Sequence, residues 1–138
     1  MRCSAVCLLL VVVACGEMRS PSLSATVRAD GLVAADLDHV TLWAFGPRRS
    51  DGIFVPCSVL VERQLAPDDS RLERLASVEV VVGGATSLGL DGVAPGQNRV
   101  VYVEGSTGGV VVANGCAEGV TVESGQTTSV EVTLYRVE

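Results

Sequence analysis

From residue 22 onward apolar and polar side chains alternate in short runs. Leu23, Ala25, Val27 and Ala29 are apolar, while Ser22, Ser24, Thr26 and Arg28 are polar. A period of two puts the two sets on opposite faces of a half-buried strand. Asp30-Gly31 is a turn signal. Val40, Leu42 and Ala44 then alternate with Thr41, Trp43 and Phe45, giving a second strand whose other face is unusually aromatic. Gly46 to Gly52 carries the breakers of a loop. Ile53 to Glu62 reads as a third strand, with Cys57, Val59 and Val61 on one face and Pro56 demoting it to an edge or a bulge. Ala66–Ala76 is the one helix expected after the N-terminal region, capped by Asp68 or Asp69 with Leu72 and Leu75 three apart. A structured loop is the alternative there. Further strands are predicted at 77–82, 87–93, 99–104, 108–113, 119–123 and 127–135. Gly83-Gly84, Ala94 to Gln97, Gly105 to Gly109, Asn114-Gly115 and Ser124 to Gln126 are read as the turns between them. This rhythm predicts an all-β domain, a single antiparallel β-sandwich of about seven to nine strands.

The first fifteen residues follow a different rule. Arg2 supplies one positive charge, and Ala5 to Ala14 is an unbroken apolar run. A helix needs about 20 apolar residues to span a bilayer, so this run is too short, but it has the length of a signal-peptide core. Its end, Val12-Val13-Ala14-Cys15, resembles the lipobox of bacterial lipoproteins. That resemblance implies cleavage between Ala14 and Cys15 and lipid on the Cys15 thiol, with two or more acyl chains needed for firm attachment. Gly16 rather than Asp after the cysteine implies, by the same resemblance, the outer membrane of a Gram-negative bacterium. The expected organisation is a helical signal peptide over 1–14, a lipidated cysteine and short tether over 15–21, and the sandwich over 22–138.

Charge narrows the partners. The chain has 16 acidic residues against 10 basic ones, a net charge of −6, and nucleic acid demands a basic face. The expected partners are the membrane, through the lipid on Cys15, and an envelope protein or a glycan. Of the five cysteines, Cys3 and Cys7 would leave with the signal and Cys15 would carry lipid. Cys57 and Cys116 remain as an even pair in an oxidising compartment, so a disulfide is expected. On the chain-entropy model, closing a loop of about 60 residues stabilises by roughly 4 kcal/mol. The pair lacks the Cys-X-X-Cys spacing of a redox centre.

The stretch Leu90-Asp91-Gly92-Val93-Ala94-Pro95-Gly96-Gln97-Asn98-Arg99-Val100-Val101-Tyr102-Val103-Glu104 resembles the transthyretin-like modules, such as carboxypeptidase regulatory-like domains. The final strand after Gly125 is similar to theirs as well. The resemblance implies a transthyretin-like sandwich and carries no activity; an immunoglobulin-like strand order stays open beside it.

Candidate chemistry is sparse. His39, the one histidine, neighbours Asp38, but no Gly-X-Ser-X-Gly elbow supplies a nucleophile. Asp36 and Asp38 lack the other oxygen ligands of a calcium loop, and two Cys with one distant His form no metal cluster. No cofactor, metal site or catalytic residue is expected, and the chain is read as a non-enzyme. Trp43, Phe45 and Tyr102 form the candidate ligand surface. Exposed, they would suit a carbohydrate-binding module of the envelope. The competing expectation is that Trp43 packs beneath 66–76 and seals one sheet. The function expected is a membrane-anchored extracytoplasmic lipoprotein with a non-catalytic β-sandwich for binding or structural assembly.

Overall fold

A computed structural model describes residues 21–29, 36–82 and 87–138. Cys15, Ala14 and the signal region lie outside the described residues. Seven strands are present among those described: β1 (Ser22–Ala29), β2 (His39–Arg49), β3 (Leu72–Val81), β4 (Ser87–Asp91), β5 (Gly96–Thr107), β6 (Val110–Val122) and β7 (Thr127–Arg136). One short helix, α1 (Cys57–Val61), interrupts them. The strand order is β3-β2-β5-β6-β7-β1-β4. Neighbours run antiparallel except β1 and β7, which are parallel from Ser22 opposite Thr127 to Ala29 opposite Leu134. β7 hinges the two layers: most of it pairs with β1, while Tyr135 and Arg136 pair with Asn114 and Ala113 of β6. The result is a β-sandwich with layers β3-β2-β5-β6 and β7-β1-β4.

The alternating positions explain the core between these layers. Leu23 and Ala25 of β1, Val40, Leu42 and Ala44 of β2, Leu88 and Leu90 of β4, Val101 and Val103 of β5, and Val132 and Leu134 of β7 are all buried in one cluster. Each was on the apolar side of its predicted strand. Full burial of one such Val or Leu stabilises by about 1.5–3 kcal/mol.

Several expectations give way to tertiary context. Residues 53–62 are not a strand. Pro56 sits extended at the N-cap (φ −75°, ψ 154°), and one and a half turns of helix follow. The helix stops in a Schellman motif, with Arg63 N–H donating to Leu60 and Gln64 N–H to the Val59 carbonyl. Arg63 takes the left-handed conformation there (φ 59°), a place usually given to glycine. Residues 66–76 are not a helix. The Asp69 carboxylate accepts the Arg71 N–H (2.9 Å) and its guanidinium, an Asx turn that delivers Leu72 into β3. The predicted loop at 46–52 is shorter than expected, because β2 continues past a bulge to Arg49, which pairs with Leu72. The β5–β6 hairpin turns on Gly108 and Gly109 alone, both at positive φ.

Asn114-Gly115 is mid-strand rather than a turn. Gly115 is required by a crossing: a Cβ there would collide with the Thr133 carbonyl oxygen of β7. Backbone cannot yield as a flexible side chain can, so Gly115→Ala is expected to destabilise the domain by at least about 2 kcal/mol. Denaturant unfolding measures this; a loss below half that value would show that the two strands can separate at little cost.

Candidate functional site

The four-stranded layer carries a second apolar patch on its outer face. β2 contributes Trp43 and Phe45, β5 contributes Val100 and Tyr102, and β6 contributes Cys116, all displaced by one residue from the inward-facing set. Residues 50–71, leaving β2 and returning as β3, fold over this face. Val55, Leu60 and Leu65 from that cover are buried against Phe45, Val100 and Tyr102, with Leu72 at its return. Trp43 stacks on Tyr102 with ring centroids 5.7 Å apart and an interplanar angle of 28°.

This corrects the candidate ligand surface. Phe45 and Tyr102 have relative exposures of 0% and 1%, and Trp43 is half-buried, so the three form no open platform on which a sugar could stack. Trp43 does pack beneath a later segment. The cluster it packs against takes Val55, Leu60 and Leu65 from the cover as well as Leu72 from within 66–76.

Cys57 and Cys116 are joined, with S–S 2.02 Å and Cα–Cα 5.6 Å. The bond links the first residue of α1 to the middle of β6, across the edge of the aromatic cluster. Glu118 accepts the Cys57 N–H at 2.9 Å, so the cysteine enters the helix with its backbone donor satisfied.

A polar chain borders the rings. Tyr102 Oη donates to Glu104 Oε1 (2.9 Å), and Asn114 Nδ2 donates to the Val61 carbonyl (2.9 Å) and to Tyr102 Oη (3.3 Å). Asn114 is the one buried polar residue among those described, and its amide is satisfied by the carbonyl at the end of α1 and by the Tyr102 hydroxyl. Burial, followed by the Glu104 charge, raises the Tyr102 pKa above its ordinary value. Burial likewise raises Glu104, against the opposing pull of the Tyr102 hydroxyl and Arg63. Sequence reasoning missed Asn114 and Glu104. Two-residue spacing places them on the faces of Cys116 and Tyr102, which is the signal that was available.

His39 opens β2, and its Nδ1 lies 2.9 Å from Asp38 Oδ1. The other Asp38 oxygen accepts the Gly108 N–H at 2.8 Å. That bond, and then the one from His39, holds the Asp38 carboxyl below the usual range. Asp38 therefore pins the β5–β6 turn. Ser106 stands opposite His39 on β5, yet among the described residues no hydrogen bond joins its hydroxyl to the imidazole. Asp36 pairs with Arg136. Among the described residues no group of three His, Cys, Asp or Glu is placed to hold a metal ion, and no helix is long and apolar enough to cross a membrane. An open cleft of about 830 Å³ lies at one end of the inner core, lined by residues including Val27, Leu37, Val80 and Leu88; it contains none of the candidate residues.

Two outcomes follow from this geometry. Asn114→Ala is expected to cost about 1–3 kcal/mol, because the buried amide's hydrogen bonds to the Val61 carbonyl and the Tyr102 hydroxyl are lost; chemical denaturation checks it. A raised folded-state pKa penalises the ionised form in the fold, so Glu104→Gln is expected to be more stable than the parent at pH 7. The gap is complete above the folded pKa of Glu104 and closes as the pH falls to the ordinary carboxylate value of 4.5. Paired melting curves across that range measure it, and a gap that widens on acidification would reverse the assignment.

No protein-family model and no curated protein matches this sequence. Solved structures do. The domain is similar to an alternative pilotin from the type II secretion system of Vibrio cholerae, with 15% identity over 85% of this chain and 96% of that one, at a TM-score of 0.54. It is also similar to a fimbrilin from Porphyromonas gingivalis W83, with 10% identity and a TM-score of 0.51. That match covers 86% of this chain and spans only 40% of the fimbrilin's length. At these identities the likeness is one of fold: a β-sandwich of the kind found in a pilotin and a fimbrilin.

Proposed function

We propose that this chain is an extracytoplasmic lipoprotein whose single β-sandwich is a non-catalytic module for binding or structural assembly at the cell envelope. The observation that carries the reading is the fold likeness to the pilotin, which extends over 96% of that chain. The fold likeness to the fimbrilin supports it from a second protein. The chemistry of the outer face agrees: its aromatic, cysteine and amide groups bind one another and the cover. The lipid anchor rests on Val12-Val13-Ala14-Cys15. Cys15 precedes β1, which begins at Ser22, by a tether too short to let the domain travel far from a membrane. Gly16 directs the reading to the outer membrane. The transthyretin-like resemblance of 90–104 belongs to the same proposal; there Arg99 clamps the Pro95-Gly96 turn by donating to the Ala94 and Pro95 carbonyls.

Metabolic labelling with palmitate in a Gram-negative host tests the anchor. The wild-type chain should take up label and sediment with the membrane fraction, and Cys15→Ser should lose both. Label retained by Cys15→Ser would sink the anchor.

A further inference from the structure

The cover of the aromatic face is built as a separable strap. It leaves β2 after Arg49 and returns at Leu72, and these two residues are paired neighbours. Ser50 N–H closes the base on the Arg71 carbonyl at 2.8 Å. Next to this base an Arg48–Phe54 bridge, with Arg49 N–H donating to the Ile53 carbonyl and Val55 N–H to the Pro47 carbonyl, holds the first residues of the excursion to the end of β2; beyond Val55 the segment can lift without parting any pair of the seven strands. The inner core is complete without it, since Leu42, Val101, Val103 and Val132 are buried by the opposite layer. Beneath the strap lie Trp43, Phe45 and Tyr102, three of the five aromatic residues in the chain. A single covalent tie, Cys57–Cys116, fastens the strap to the sheet. Beyond Val55 the remaining ties are apolar contacts of Leu60 and Leu65 and the hydrogen bonds from Asn114 and to Glu118. Both cysteines are half-buried rather than sealed.

We infer that the strap is a redox-sensitive cover: reduction of Cys57–Cys116 lets residues 56–71 open as a local unit and exposes the aromatic face while the sandwich stays folded. The step balances with a dithiol as reductant. One of its thiolates attacks Sγ of Cys57 or Cys116 to form a mixed disulfide. Its second thiolate displaces that sulfur and closes the reductant's own disulfide. The protein takes up two electrons and two protons and leaves as two thiols. With the cross-link gone, the closed strap loses its entropic advantage over the open one, and local opening no longer carries a covalent restraint.

Dithiothreitol treatment of the purified protein tests this with three readouts. Trp43, the one tryptophan, reports the face through acrylamide quenching. Trypsin cleavage after Arg63, which is exposed in the strap, reports the cover. Hydrogen exchange at Val101, Val103 and Val132 reports the sandwich. Reduction should raise the quenching constant severalfold and the cleavage rate by about tenfold or more, with core exchange unchanged. The double variant Cys57→Ser, Cys116→Ser should behave so without reductant, and reoxidation of the wild type should restore the closed state. Unchanged quenching and cleavage after full reduction would show that packing alone holds the strap and would overturn the inference. So would loss of core protection in step with cleavage, since the strap and sandwich would then be one cooperative unit.

Discussion

A β-layer has two faces, and in this protein both faces of β3-β2-β5-β6 carry apolar surface that must be buried. That constraint organises the molecule. The inner face is buried by β7-β1-β4, as in any sandwich. The outer face has no third layer, so a single excursion of the chain must bury Phe45, Val100 and Tyr102. The excursion brings too little apolar surface to form a layer of its own, with Val55, Leu60 and Leu65 as its inward anchors. A disulfide and two side-chain hydrogen bonds supplement that packing, and each of these three ties ends on β6.

This arrangement explains which parts of the fold were legible beforehand. Strands with one face on the inner core announce themselves by alternation, as in Leu23-Ala25-Val27 and Val130-Val132-Leu134. The pairing of Cys57 with Cys116 was also within reach, because the other three cysteines have a place in the N-terminal region. The cover was not legible. Its five-residue helix is too short for a periodic signal, Pro56 reads as a strand breaker, and the helix stops on Arg63 where a glycine would have marked the end. Asp69 makes the local bond expected of it, but toward Arg71 in a turn, because pairing with Arg49 draws Leu72 into β3.

Asn114-Gly115 shows the same conflict most sharply. As a dipeptide it carries turn chemistry, with a residue tolerant of positive φ and one that prefers it. In place, neither residue is used for that. The amide is spent on the Val61 carbonyl and the missing Cβ on the passage of β7. Both demands come from segments far away in sequence, so no local reading could supply them. The aromatic strip failed as an exposed surface for the related reason that alternation reveals a face without revealing what lies over it.

The parallel pairing of β1 with β7 has a mechanical side. Ser22 enters at one end of this pair and Arg136 leaves near the other, so the two points of entry and exit lie toward opposite poles of the sandwich. A pull between them slides β1 along β7 and loads their hydrogen bonds together instead of peeling them one by one. A domain held at its N-terminal side and drawn from its C-terminal side would meet that load in shear, the direction in which a strand pair resists best.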